Sequence, residues 1–248
     1  MTILLLAVVA IAVGFFIGAV GVGGILLIPP LVWLGGLNIH EASATALFSF
    51  LGTGILGTWL FQKRGSIDWR MTVPTCAGAI VFSYLGAMLN SMVEARLLAL
   101  TIAVIIIFAG AYILLPSRRG GEKPRDGRGA AQRNLLFGVG AVAGFAAGFS
   151  GAGGPLFSVP MMLLLRFVPL ATVGTSQVLQ IIVSISGSIG NLQYGSIDFR
   201  TAAWITLFEL VGVVMGTRAA HAVSAAVLRR MAAGLCIALG IIMLIRSL

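Results

Sequence analysis

The sequence predicts an all-α polytopic integral membrane protein that consists of two homologous halves. Hydrophobic residues make up 59% of the 248 positions and charged residues only 9%, and the mean hydropathy is +1.08. A soluble domain carries about a quarter charged residues, so lipid must solvate this chain. The same order of motifs returns 130 residues later. We expect three full transmembrane helices and one glycine-broken, re-entrant segment in each half.

The first half, residues 1–116, opens with an apolar segment that breaks at Gly21–Gly24. The leg before the break can cross most of a bilayer. The leg after it, residues 25–37, reaches about 20 Å at 1.5 Å per residue, which is short of a hydrocarbon core about 30 Å thick. Three full spans are then predicted at residues 42–62, 71–92 and 97–115.

Residues 117–133 form a basic linker whose Gly, Pro and charge content is typical of flexible segments. The second half, residues 134–248, repeats the first at a constant offset. Residues 65–70 and 195–200 share five of six amino acids, and Thr45 aligns with Thr175. Identities among polar residues at one offset indicate a duplication.

The distribution of basic residues favours inverted over parallel halves. The loop after the second element carries three basic residues in the first half and one in the second, and the next loop shows the opposite bias. If each broken segment returns to its starting side, 13 basic residues are cytoplasmic and 3 are not; a parallel arrangement gives 11 and 5. The inverted arrangement places the linker in the cytoplasm and both termini outside.

The net charge of +9 would suggest nucleic acid as the partner of a soluble protein. Here Lys and Arg lie between apolar segments, where they set topology, so the expected partner is the lipid bilayer and not nucleic acid. Cys76 and Cys236 lie in different apolar segments without metal-ligand spacing, and we predict neither a metal nor a cofactor. The N-terminus lacks the basic region of a signal peptide and is expected to remain in the mature protein.

Paired glycine breaks in two halves are the sequence pattern that points to a transporter's binding site. Helices that restart near Ile25 and Pro155 would present N–H groups to an anion, and inversion would bring the two breaks together near the midplane. The alternative is close helix packing, which we favour for Gly14, Gly18, Gly144 and Gly148. The candidate binding residues of the breaks are Gly21, Val22, Gly23 and Gly24, with Ser150, Gly151, Gly153 and Gly154.

The span after each break supplies polar side chains. Thr45, Ser49 and Thr53 form a short stripe in the first half. In the second half, side chains at every fourth position share a slowly drifting face. We expect Ser184 and Ser188 to bond to neighbouring helices. The residues nearest the breaks have two possible roles, contact with the substrate or hydrogen bonding across helices. They are Thr45, Thr175, Ser176, Gln177 and Gln180.

Glu209 is an acid well inside a predicted span, and its equivalent in the first half is Ala79. An intramembrane carboxyl is costly unless it is neutral or paired, so Glu209 is a candidate for proton coupling or else a protonated group bonded to a neighbouring helix. Asp68 and Asp198 precede spans and are expected to cap helices. His40 and Glu41 are expected to lie solvated at the outer surface.

These motifs together resemble the sulfite exporter TauE/SafE family. The resemblance rests on residues 21–24 followed by Pro29 and Pro30, on residues 151–154 followed by Pro160, and on the duplicated residues 65–68. It implies export or uptake of sulfite, thiosulfate or small organosulfonates across a bacterial inner membrane. The first half departs from the pattern after Thr45, where Ala46 replaces a hydroxyl, so the halves are expected to contribute unequally.

The sequence therefore predicts a secondary transporter that moves a small sulfur-containing anion by alternating access. A membrane enzyme would need convergent acid, base or metal-ligating groups, which Glu209 alone does not supply. A passive anion channel, or a transporter of another small organic anion, remains the alternative. A homodimer is compatible with the sequence, which does not set the oligomeric state.

Overall fold

The computed structural model describes residues 2–20, 23–114, 129–222 and 225–247, and they form an all-helical bundle. The first half contains α1 (Thr2–Val20), a 3-10 turn (Gly24–Leu27), α2 (Ile28–Trp33), α3 (Ile39–Lys63), α4 (Trp69–Met92) and α5 (Ala95–Leu114). The second half contains α6 (Ala130–Ser150), α7 (Pro155–Leu164), α8 (Pro169–Tyr194), α9 (Phe199–Ala222) and α10 (Ala225–Ser247).

Within these residues, five helices are long and apolar enough to cross a membrane: α3, α4, α5, α8 and α9. The equivalent of α5 in the second half, α10, is 23 residues long, and its apolar part is Ala233–Arg246. The prediction of an all-helical polytopic membrane protein is confirmed.

The duplicated polar turns start helices as their residue types predict. The Asp68 side chain accepts a hydrogen bond from the Arg70 N–H at 2.9 Å, and the Asp198 side chain accepts one from the Thr201 N–H at 3.0 Å. The Thr201 bonds also lower the pKa of the Asp198 carboxyl. Both predicted caps are therefore confirmed.

The environment of His40 and the predicted starts of two helices, α3 and α6, differ from the structure. His40 is half-buried and its Nδ1 lies 3.2 Å from Asn90 Oδ1, so it is only partly solvated. Asn38 caps α3, which starts three residues before the predicted span because the Asn38 side chain accepts from Glu41 N–H at 2.9 Å. The helix α6 begins at Ala130, inside the predicted linker, and residues 115–128 lie outside the described residues.

The first helix of each half packs against the third long helix of the other half through glycines, α1 against α9 and α6 against α4. A methyl group on Gly14 would overlap the Glu209 carbonyl oxygen in α9, and one on Gly148 would overlap the Ser83 carbonyl oxygen in α4. Such close approach of two backbones is possible only with small residues. The packing interpretation of Gly14, Gly18, Gly144 and Gly148 therefore holds.

Equivalent helices of the two halves run antiparallel where they meet. Along α3 from Leu47 to Gly57, the contacted positions in α8 fall from Gly187 to Gln177. The α5 and α10 pair behaves in the same way, because Gly110 contacts Ala233 whereas Gly240 contacts Ile107. This relation is the one that inverted repeats require.

The segment after the second break returns along the helix that precedes it. Met162 and Phe167, at the end of α7 and just beyond it, share a buried apolar cluster with Leu136 and Val139 near the start of α6. Thus α7 runs back toward the end of the bundle at which α6 begins. The chain therefore runs into the bundle along α6, turns at Gly151–Gly154, and runs back along α7 to the same end.

Candidate functional site

The two glycine breaks meet inside the bundle. A methyl group on Gly24 would lie 2.7 Å from the Ala152 carbonyl oxygen and 2.9 Å from the Phe50 ring. A methyl group on Gly153 would lie 3.3 Å from the same ring. Gly21 and Val22 lie outside the described residues. Segments 130 residues apart in the sequence therefore form one buried contact around Phe50.

The second break needs glycine for its backbone geometry. Gly151 has a φ of +73° and Gly153 a φ of +81°, a left-handed region that residues with a side chain rarely adopt. A methyl group on Gly151 would also overlap the Ser43 carbonyl oxygen. The left-handed Gly151 ends α6, and its N–H donates to the Ala147 carbonyl at 2.8 Å.

The helix restart predicted near Ile25 is a tight 3-10 turn and not an α-helical N-terminus. The Leu26 N–H donates to the Gly23 carbonyl at 2.9 Å, and the α-helix that follows, α2, has only six residues. The restart predicted at Pro155 is found, with Pro155 in the first position of the ten-residue α7. The two breaks are therefore unequal in structure.

Two backbone N–H groups at the second break have no acceptor among the described residues. Gly153 and Gly154 are buried, and neither N–H donates to any of them. The Gly154 carbonyl, by contrast, accepts from the Ser158 N–H and the Ser158 hydroxyl, both at 3.0 Å. A buried N–H without a partner costs about 1–3 kcal/mol. These donors lie where α7 presents the positive end of its dipole.

Gln180 is the predicted side chain that lies directly beside the breaks. Its Nε2 donates to the Phe50 carbonyl at 3.2 Å and to the Thr53 hydroxyl at 2.6 Å. A methyl group on Gly153 would lie 3.6 Å from its Oε1. Phe50 occupies the position in the first half that aligns with Gln180, so equivalent positions of the two halves meet beside the breaks. Sequence reasoning missed Phe50 because an apolar ring in an apolar span carries no signal.

The other predicted polar residues bond within the protein, away from the Phe50 ring. The Thr45 hydroxyl accepts from the Asp198 N–H at 3.1 Å, and the Thr175 hydroxyl lies 2.9 Å from that of Thr72. Ser150 donates to the Ala146 carbonyl at 2.7 Å and Ser176 to the Val173 carbonyl at 2.8 Å, while Gln177 packs on Gly57. Ser184 and Ser188, which we expected to bond to neighbouring helices, have no partner within the described part of the chain, so that expectation is wrong.

A family model described as "Sulfite exporter TauE/SafE" matches residues 6–243 of this chain. The chain belongs to the sulfite exporter TauE/SafE family. The family is one of membrane transporters and not of enzymes, so this TauE/SafE member is a membrane transporter. The resemblance found in the sequence is confirmed.

Curated relatives carry transporter names and align over most of their length. The "probable membrane transporter protein YdhB" of Bacillus subtilis is 25% identical over 87% of this chain and 89% of its own. YfcA of Escherichia coli, which carries the same description, is 28% identical over 85% of this chain and 77% of its own. MJ0441 of Methanocaldococcus jannaschii, also so described, is 26% identical over 76% and 73%.

Glu209 of this TauE/SafE member is fully buried in α9, between α1 and α3. Neither carboxyl oxygen has a hydrogen-bond partner among the described residues. The Ser49 hydroxyl faces the carboxyl but donates to the Ala46 carbonyl at 2.8 Å. The described α1 has no titratable side chain, and those of α3 lie at its ends, at His40, Glu41 and Lys63. A charge at Glu209 would therefore be buried without a counter-charge.

Two cavities open at opposite ends of the bundle, and the described residues of the breaks line neither. One of about 480 Å³ lies between residues 65–70 and the start of α8. Another of about 330 Å³ lies between α2, α5 and α10, where Arg246 stacks on the Trp33 ring at 4.8 Å. The described residues hold no cluster of metal-ligating side chains. In this conformation the breaks are packed against one another.

Proposed function

We propose that this TauE/SafE member is a secondary transporter of small sulfur-containing anions, such as sulfite, thiosulfate or organosulfonates, that bind at the two glycine breaks. The observation that carries the proposal is the pair of buried N–H groups of Gly153 and Gly154, which have no acceptor within the described chain. An anion oxygen is a suitable acceptor for such donors at a helix N-terminus.

The donor set suits a small oxyanion that must be released again. The groups at the breaks are backbone N–H groups and the Gln180 amide, and the interiors of α3 and α8 contain neither Lys nor Arg. Uncharged donors hold an anion less tightly than a guanidinium does. Modest affinity allows the substrate to leave on the far side of the membrane.

The arrangement of the helices supports alternating access between inverted halves. The antiparallel α3 and α8 cross at Phe50 and Gln180, and rocking about such a crossing would expose the breaks to one side at a time. The proposed orientation in a bacterial inner membrane places the linker in the cytoplasm and both termini outside. A reporter fused after Leu248 that is active only in the cytoplasm would contradict this orientation.

The test of the substrate site is thermal stabilisation of the purified protein by sulfite, thiosulfate, sulfoacetate, taurine, sulfate, phosphate and chloride. Stabilisation grows as RT ln(1 + [L]/Kd), so weak ligands are detected at tens of millimolar. We expect a shift with a sulfur-containing anion that Gly154→Pro abolishes. Gly154 has a φ of −62°, which proline adopts, so this variant removes the N–H without imposing a new φ.

The matched control is Gly154→Ala, which adds a methyl group 3.2 Å from the Leu179 side chain but keeps the N–H. We expect Gly154→Ala to retain the shift. Equal shifts in the two variants, or no shift of the unmodified protein with any of the seven compounds, would contradict the proposal that the anion binds at the breaks.

Glu209 favours a coupled transporter over the alternative, a passive anion channel. A channel needs no titratable group in its closed interior, whereas a buried carboxyl without a partner can carry a proton between the two sides. In vesicles, we expect a proton gradient to drive accumulation of the anion and Glu209→Gln to abolish it. Accumulation that Glu209→Gln leaves unchanged would exclude Glu209 from coupling.

A further inference from the structure

Four buried hydroxyl groups in the described residues have no hydrogen-bond partner, and all four lie on α3 or α8. They belong to Thr58 on α3 and to Thr172, Ser184 and Ser188 on α8. The other buried hydroxyls of the described residues have partners: Thr75 donates to the Met71 carbonyl of its own helix at 2.8 Å, and Ser83 donates to the Val183 carbonyl of α8 at 3.0 Å. The unpaired hydroxyls are therefore confined to the pair of helices that cross at the breaks.

Three of the four form part of a continuous polar stripe along α8. The side chains at every fourth position are buried and polar, with exposed fractions of 0%, 0%, 2%, 1% and 5% for Thr172, Ser176, Gln180, Ser184 and Ser188. Sixteen residues of α-helix extend about 24 Å, which is most of the hydrocarbon core. Gln180, at the breaks, is the middle member, so the stripe continues from the breaks toward both ends of the bundle.

The equivalent positions of α3 do not form a matching stripe. They are Ala42, Ala46, Phe50, Gly54 and Thr58. The two helices pack through small residues, because a methyl group on Gly57 would overlap Gln177 and one on Gly187 would lie 2.6 Å from Leu47. The polar groups of this interface belong mainly to α8.

We propose that the α8 stripe is the path along which the anion moves between the breaks and the two ends of the protein. This inference rests on the proposed function. Each hydroxyl can donate to an anion oxygen, and an unpaired buried hydroxyl gains more from such a ligand than one that already has a partner. Successive weak, uncharged sites let an ion enter and also leave. Thr172 serves one end of the path, and Ser184 and Ser188 serve the other.

The experiment measures the access of a water-soluble anion to each position. Single cysteines replace Thr172, Ser184 or Ser188 in the full chain, in a background that carries Cys76→Ala and Cys236→Ala. The proteins, in vesicles, are exposed to 2-sulfonatoethyl methanethiosulfonate, and modification is followed by mass. The matched control is Val183→Cys, which is 0% exposed and shares an apolar cluster with Leu179 and Ala79.

We expect all three stripe positions to react at least ten-fold faster than Val183→Cys, because transport opens the stripe to water in turn from each side. Rates equal to that of Val183→Cys, or reaction at one end only, would overturn a path through the protein. Unmodified protein from the same preparation is tested for stabilisation by sulfoacetate. If sulfoacetate stabilises the protein but the cysteines do not react, the path along α8 is refuted and the anion site at the breaks is still supported. If the cysteines react but sulfoacetate gives no shift, the path is supported and the anion site as proposed is refuted.

Discussion

The interface of α1 with α9 and the interface of α6 with α4 are two copies of one packing arrangement, and they differ at the residue that faces a shared glycine. In both, glycines bring the backbones together: Gly14 lies against Glu209 in the first interface, and Gly144 lies against Ala79 in the second. The position that holds a buried carboxyl in α9 holds a methyl group in α4. The duplication preserved the backbone packing, whereas the polar group is found in only one copy.

The largest expected effect comes from placing a carboxyl in the apolar copy. Ala79 is fully buried in a cluster with Leu47, Ala143 and Ala147. A buried carboxyl without a partner costs about 1–3 kcal/mol and overpacking costs about 1–3 kcal/mol more, so Ala79→Glu is expected to lower the free energy of unfolding by about 2–6 kcal/mol. Ala79→Leu, which adds volume without polarity, is the control in thermal denaturation. Equal stabilities of the two variants would show that volume and not polarity separates the copies.

A smaller loss is expected when the shared glycine packing is disturbed. Gly14→Ala forces a methyl group into the Glu209 carbonyl, and Gly144→Ala places one 2.8 Å from the Ala79 Cα atom. Overpacking typically costs about 1–3 kcal/mol, and we expect Gly14→Ala to cost more. Gly138→Ala in α6 meets open space and should be neutral or slightly stabilising. A loss at position 138 as large as those at 14 and 144 would argue against close packing as the cause.

Replacing the carboxyl by an apolar side chain of similar size should make the two copies alike. Glu209→Met removes two unpartnered oxygens and is expected to raise the free energy of unfolding by about 1–3 kcal/mol. Accumulation driven by a proton gradient should be lost at the same time, because stability and function conflict at such a site. A variant that is both less stable and still coupled would contradict our account of Glu209.

The smallest expected effect is the difference in stability between cap substitutions in the two copies of the polar turn, residues 65–70 and 195–200. Asp68 accepts from Arg70 N–H, whereas Asp198 accepts from both the N–H and the hydroxyl of Thr201. Loss of such a cap costs about 0.5–2 kcal/mol, and Asp198→Ala should cost more than Asp68→Ala.

The effect of Asp198 depends on pH in a defined direction. Because the Thr201 bonds lower the pKa of Asp198 in the folded protein, its contribution is present above the unfolded-state pKa of about 3.9. It is lost as the pH falls through the lower, folded-state pKa. Thermal denaturation between pH 3 and pH 7 measures this change. A difference between Asp198→Ala and the unmodified protein that grows as the pH falls would contradict the assignment.

Several features of the site were readable from the sequence because they depend on local residue types. Gly151 and Gly153 signal a turn because their left-handed φ values exclude most side chains, and Pro155 signals a helix start because it lacks an N–H. Glu209 was conspicuous because acids are rare in apolar spans. Phe50 was not found, because its role depends on its position between two breaks that are distant in the sequence.

The amino-acid sequence by itself determined the helical membrane fold, the duplication and membership of the sulfite exporter TauE/SafE family. Hydrophobic length, charge placement and repeated motifs are properties of continuous segments, and the bilayer leaves such segments few conformations. The tertiary structure decided which polar groups remain free. Thr175 bonds to Thr72 and Thr45 to Asp198, whereas Ser184 and Ser188 find no partner in the residues that the structure describes. Because those partners come from helices more than 100 residues away, only the folded bundle distinguishes a hydroxyl that holds the structure together from one that is free to bind an anion.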